Sequence, residues 1–153
     1  MRKIILLVFA YACIIQTSAA MATNVESIQY LNSGKILPTG LPFSEAVRVD
    51  NTLYLSGQLG ILPGTLKLID GGIAAESRQT MDNIKTTLET HGYTLQNLVK
   101  CTVMLADIKE WTAFNDVYKT YFTDHYPARS ALGANGLAMG ARVEVECMDV
   151  KAK

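Results

Sequence analysis

The sequence predicts an α+β domain, a single mixed β-sheet with two helices packed on one face. Stretches with apolar residues at alternate positions (47–59, 99–105, 142–150) are interleaved with two in which they recur every three or four residues (73–91, 107–121). These are the periods of strand and helix. A hairpin-like pair of strands stands at each end, giving the order β-β-α-β-α-β-β, and such an order closes into one sheet with its helices on one side. Of 153 residues, 49% are hydrophobic, ample for a single core, and no repeat, low-complexity tract or linker divides the chain.

The first twenty residues, "MRKIILLVFAYACIIQTSAA", stand apart from that fold. Arg2 and Lys3 give a basic start, Ile4 to Ile15 an apolar run of twelve, and Ser18-Ala19-Ala20 the small residues that precede a cut. That is the layout of a cleavable signal peptide. As a membrane anchor the run would rise only about 18 Å, short of a ~30 Å bilayer core. The sequence therefore predicts a single domain over residues 21–153, periplasmic or secreted, with no membrane attachment after cleavage. Removing Arg2 and Lys3 from 14 basic residues leaves 12 against 14 acidic ones, a net charge of −2. No basic run survives, which argues against nucleic acid as a partner.

Along the mature chain, Ile28-Gln29-Tyr30-Leu31 forms a short apolar patch before "SGKILPTGLPF", a segment punctuated by glycine and proline. Val47 and Val49 alternate with Arg48 and Asp50, Asp50-Asn51 turns, and Thr52 to Leu59 resumes in β-rich residues: a hairpin. "LPGTLKLIDGG" reads as a loop with room for a short edge strand. Ile73, Ser77, Met81, Ile84 and Leu88 then share one helical face, with Gly92 as the residue that ends the helix. Val99, Cys101, Val103 and Leu105 form the apolar side of a strand. Asp107 and Glu110 make a capping-box variant before a second helix, whose buried side carries Trp111, Phe114, Val117, Tyr118 and Tyr121. Tyr126-Pro127 ends it. Strands over 128–132 and 142–150 flank a glycine-rich turn. In the last strand Val143, Val145 and Cys147 fit the helix-covered face, so Glu144, Glu146 and Met148 point to the bare one, where only another subunit could bury them.

Arg129 lies in a strand among small residues, where a guanidinium can present two parallel donors to a carboxylate or phosphate. An Arg129–Glu144 ion pair across a subunit contact fits the same residues, and buried ion pairs are weak evidence for function. Cys101 and Cys147 sit on apolar strand faces. A disulfide would require their strands to be neighbours with the two residues nearly opposite, and free, buried thiols are the expectation. Neither they nor His91 and His125 are spaced as metal ligands, so no metal or other cofactor is expected.

The stretch "YPARSALGANGLAMGARVEVE" resembles the signature of the RidA/YjgF family of enamine/imine deaminases: Pro-x-Arg-Ser followed by an aliphatic-Glu-x-Glu strand. The similarity continues upstream through "LYLSGQLG", "RQTMDNIKTTLE", "VKCTVMLAD" and "FNDVYKTYF", and spans about residues 40–150. It implies a fold like bacterial chorismate mutase, a homotrimer with ligand clefts between subunits, and metal-independent hydrolysis of small 2-imino acids to 2-oxo acids and ammonia. By the same resemblance the carboxylate-binding arginine falls on Arg129 and the water-associated glutamate on Glu144. The serine of the Ser-Gly-Gln turn falls on Ser56 and the cleft asparagine on Asn115. The family's cleft tyrosine is here Phe43 and its cysteine two places after the arginine is Ala131, so one phenol donor is missing.

Plainer roles stay open for several of these. Ser56 suits a turn, Asn115 a bond within its own helix, Phe43 a cleft wall or core plug, and Glu146 a solvated or inter-subunit partner. A trimeric, non-catalytic receptor for small carboxylates is the alternative function. Ribonuclease activity, reported for some relatives, fits poorly with an acidic mature chain lacking a catalytic histidine pair.

Overall fold

The computed structural model describes residues 27–152; the expected signal segment, residues 1–20, lies outside them. The strands are β1 (Ile28–Leu31), β2 (Ala46–Val49), β3 (Thr52–Leu55), β4 (Gln58–Leu59), β5 (Leu98–Leu105), β6 (Ala128–Gly133) and β7 (Val143–Val150), and the helices α1 (Gly72–Thr90) and α2 (Trp111–Tyr118). They form one mixed sheet in the order β1-β2-β3-β7-β5-β6, with β4 also on β7. Only β5 and β6 are parallel; every other pairing is antiparallel. Leu53, Leu55, Val103, Leu105, Val143 and Val145 line the covered face and meet Met81, Ile84 and Leu88 of α1 and Phe114 and Tyr118 of α2. The α+β architecture is as the sequence predicts.

Several elements differ in detail, each for a local reason. The apolar patch at 28–31 is an edge strand, because Ile28 to Leu31 pair residue for residue with Val49 to Ala46. The strand expected from Thr52 to Leu59 breaks at Ser56-Gly57. Tyr54 opposes Met148 while Gln58 opposes Val145, so four steps on one side span three on β7, and the extra residue is a β-bulge. A second irregularity lies between Leu98 and Lys100. It turns Val99 outward and gives its expected inward place to Leu98.

The second helix is shorter than its periodicity suggests. Asp107 caps a 3-10 turn over Ile108–Glu110, accepting from the Lys109 amide at 3.0 Å, and another 3-10 turn over Lys119–Tyr121 follows α2. Glu110 does not close the capping box. It accepts the Arg142 guanidinium instead, with Nε at 3.0 and 3.1 Å from its two oxygens, a charge-assisted pair that outcompetes one backbone amide.

The face of α1 against the sheet is half polar. Asn83 donates to the carbonyls of Leu59 and Ile61 at 3.0 and 2.9 Å, and buried Glu76, expected on the polar side, accepts the Arg142 amide at 2.8 Å. Glu45, also buried, accepts from the Ser33 amide at 2.6 Å and the Thr87 hydroxyl at 3.1 Å. Together these bonds pin the 32–45 loop and the β4 region to α1. Gly92 (φ +79°) ends the helix as expected, and the Tyr93 amide returns to Leu88 O at 2.8 Å.

Cys101 and Cys147 form a disulfide, which corrects the expectation of free thiols. β5 and β7 are antiparallel neighbours with the two cysteines directly opposite, Cα atoms 4.1 Å apart. This is about the ~4.5 Å spacing of a non-hydrogen-bonded pair and within bridging reach. The period showed both on the apolar face but not which strands would be neighbours.

Asp149 continues the inward row of Val143, Val145 and Cys147 and is fully buried, with neither carboxylate oxygen hydrogen-bonded. Burial pushes its pKa up to about 7, only partly offset by Lys151. The Lys151 ammonium is 4.2 Å from the Tyr93 ring centroid. With the folded pKa raised above its unfolded value of 3.8, Asp149 costs no stability below about pH 4. The cost grows as the pH rises from there to 7. Asp149→Asn should therefore stabilise the fold at pH 8, on the order of 1–3 kcal/mol, and change little at pH 4. Urea midpoints at the two pH values check this; equal shifts would sink it.

Candidate active site

Two polar constellations flank the sheet, one on each face. The first is built on β6 and α2. The pleat sets Arg129 in a cross-strand row with Cys101 and Cys147, hence on the helix-covered side, at the sheet's edge. There its Nη2 donates to Asn115 Oδ1 at 2.7 Å. Three rings of α2 lie around the guanidinium, with Cζ 4.6 Å from the Tyr118 centroid, 5.1 Å from Trp111 and 5.7 Å from Phe114. Among the described residues Arg129 forms no ion pair. It faces a cavity of about 270 Å³ that Asn115, Tyr118, Tyr126 and Pro127 also line. A half-buried guanidinium with a neutral side-chain partner and an adjoining cavity is suited to an anionic ligand. The Tyr118 hydroxyl is buried without a partner, and burial pushes its pKa up to about 12 against the opposing effect of Arg129, so the phenol stays protonated at neutral pH.

The second constellation lies on the bare face, where the β3–β4 bulge meets β7. Glu144 opposes Leu59, and its carboxylate rests directly on Gly57, where any Cβ would collide with Oε1. Burial, with a smaller contribution from Glu146, raises its pKa above the ordinary glutamate range. Ser56, beside Gly57, donates its hydroxyl to Ser44 O at 2.7 Å, and its amide bonds Glu45 O at 3.1 Å. The serine thus closes the turn and retains only acceptor capacity. Phe43, adjoining Ser44, is 48% exposed and so is not a core plug. Glu146 is exposed on the same face as Glu144.

Arg129 and Asn115 are therefore brought together, Ser56 and Glu144 form a second group about Gly57, and Phe43 lines a separate small hollow with Leu37, Pro38 and Leu41. Within one chain the two groups lie on opposite faces, so Arg129 and Glu144 can meet only between copies. Ala131 packs against the core. The helical spacing by itself places Trp111 and Tyr118 in the core alone. Their spacing from Asn115 on one helix, at i, i+4 and i+7, was the available sign that they share its face. Gly57 carries no sign of its own in the sequence, since only the structure shows a carboxylate against its α-carbon. Among the described residues no group of three or more histidine, cysteine or acidic side chains could hold a metal.

The Gly57 contact gives a sharp test. Its φ is not positive, so alanine is tolerable to the backbone, but the methyl group must displace Glu144. Gly57→Ala should keep the fold and lose activity about as far as Glu144→Gln does. An active Gly57→Ala protein would show that the position of Glu144 is unimportant.

Comparison with known proteins follows the same outline. Residues 35–151 match the family model described as Endoribonuclease L-PSP. A protein of Capra hircus named 2-iminobutanoate/2-iminopropanoate deaminase is 46% identical over 110 residues, 72% of this chain and 80% of that protein. The Homo sapiens protein of the same name is 41% identical with the same coverage. Among solved structures, RidA from an Antarctic Psychrobacter superposes with a TM-score of 0.75 at 35% identity, covering 80% of this chain and 99% of that one. Yeast Mmf1 gives 0.77 at 32%, covering 82% and 100%.

Proposed function

The chain belongs to the Endoribonuclease L-PSP family, to which RidA and YjgF belong, and from that premise we propose that it hydrolyses small 2-imino acids to 2-oxo acids and ammonia. Its fold is the chorismate mutase-like one of its structural neighbours. The single observation that carries the reading is the Arg129 guanidinium, beside a cavity, held by a neutral amide and rings rather than by a carboxylate. Such a group takes a substrate carboxylate without first having to release a partner.

The protonated imine carbon is already electrophilic, so hydrolysis needs orientation, a water and proton transfer, with no covalent enzyme intermediate. Arg129 holds the carboxylate, steadied by Asn115. Glu144, with its raised pKa, orients the attacking water and accepts its proton as oxygen bonds to carbon. That proton then goes to the nitrogen of the resulting carbinolamine, and as the C–N bond breaks the hydroxyl gives its proton back to Glu144, leaving the 2-oxo acid and ammonia. Ser56 has an oxygen free to accept from the substrate nitrogen, and Phe43 forms an apolar wall.

The cleft completes between subunits of a homotrimer, because one chain holds its two halves on opposite faces. Light scattering should give about three times the mass of the processed chain, and a stable monomer at micromolar concentration would contradict the arrangement. We also infer export to a periplasmic or extracellular space. The layout of residues 1–20 and the Cys101–Cys147 disulfide both support an oxidising destination.

One observation favours a carboxylate receptor as the second reading. Phe43 brings no hydroxyl, and the Ser56 proton is committed to Ser44 O, so the half of the cleft about Glu144 is poor in donors. The deciding experiment uses a threonine dehydratase to generate the imino acid, with and without this protein. Faster appearance of 2-oxobutanoate supports the deaminase; tight 2-oxo acid binding with no acceleration supports the receptor.

A further inference from the structure

We propose that Trp111 is a positioning residue for Arg129, completing with Tyr118 an aromatic seat that holds the guanidinium ready for a carboxylate; this rests on the deaminase reading of the same cleft. The three rings near Arg129 do not have equal tasks. Phe114 and Tyr118 are 1% and 4% exposed and belong to the core, where they would pack whatever stood at position 129. Trp111 opens α2, is 37% exposed and lies outside the core cluster. The guanidinium carbon of Arg129 lies 5.1 Å from its ring centroid. The chain's single tryptophan is thus left half in solvent against a cation.

The chemistry of an anion site gives that placement a purpose. An arginine beside a cavity must be kept from swinging into solvent, and an aspartate or glutamate would do so only by competing with the ligand for the same N–H groups. A ring face attracts the cation through its quadrupole, occupies no donor and leaves the edge of the guanidinium free. Asn115 supplies the complementary restraint, fixing Nη2 with a neutral oxygen at 2.7 Å. Trp111, Asn115 and Tyr118 stand at i, i+4 and i+7, so one helix face carries the whole holder.

The test follows the Arg129 side-chain Nε–H resonance in the ¹⁵N-labelled protein, assigned by its loss in Arg129→Lys, together with calorimetric binding of 2-oxobutanoate. In the unmodified protein the resonance should be displaced by ring current. Trp111→Leu should reduce that displacement and weaken binding about five- to tenfold, the scale of a partly exposed cation–π contact. Its effect on turnover should fall on KM more than on kcat. Trp111→Phe should restore both within about twofold, which a purely structural role would not require. Trp111→Gln serves if the leucine variant misfolds. An unchanged resonance and unchanged affinity in Trp111→Leu overturn the proposal, as does a phenylalanine variant no better than leucine. If the unmodified protein does not speed the formation of 2-oxobutanoate, the deaminase reading fails, while the seat still stands or falls on the resonance and the affinity.

Discussion

Arg129→Ala should lower kcat/KM for a 2-imino acid by about 30- to 1000-fold, equivalent to about 2–4 kcal/mol of lost charged hydrogen bonding. Arg129→Lys should recover little of it. An ammonium cannot reproduce the planar two-donor fork, and its compact, strongly hydrated charge suits the aromatic seat less well. The fold should survive both changes. Arg129 is only partly buried on an edge strand, and among the described residues its one side-chain hydrogen bond is to Asn115, itself partly buried and able to turn to water. Circular dichroism and thermal melts establish that the variants are folded before activity is compared. Full activity in a folded Arg129→Ala protein would remove the arginine from the mechanism.

Loss of the disulfide should have the largest effect on stability. Cys101 and Cys147 are 46 residues apart, and closing a loop of that length removes about 4 kcal/mol of unfolded-state entropy in the chain-entropy account. Against a typical stability of about 5–15 kcal/mol, that is a large share. The Cys101→Ala/Cys147→Ala protein should unfold at a markedly lower urea concentration than the oxidised protein. Adding reductant should destabilise the parent and leave the double variant unmoved. A parent indifferent to reductant would show that the bridge contributes nothing.

How much of this could be read beforehand depended on whether local order or strand adjacency decided the matter. The alternation of Val143, Val145 and Cys147 gave the inward face of β7 and put Glu144 outside, both as found. Continued by one step, the same alternation placed Asp149 in the core. Period predicts a side chain's direction whether or not its chemistry suits the place. The bulge at 55–57 was hidden because it shows only in the register against β7, which is distant in sequence. The free-thiol expectation failed for a similar reason, since it turned on β5 and β7 being neighbours. In the site, resemblance to the RidA/YjgF family supplied Arg129, Asn115, Ser56 and Glu144. It could not show that the arginine sits among rings, or that one chain holds its arginine and its glutamate on opposite sides of the sheet.

That separation has a genetic corollary. If each cleft takes its arginine from one chain and its glutamate from the next, a chain lacking Arg129 and a chain lacking Glu144 are not defective in the same sense. Each retains the half the other has lost. Two null alleles of these kinds, expressed in one cell, would rescue one another, with about one cleft in four intact in randomly mixed trimers. Two alleles affecting the same residue would not.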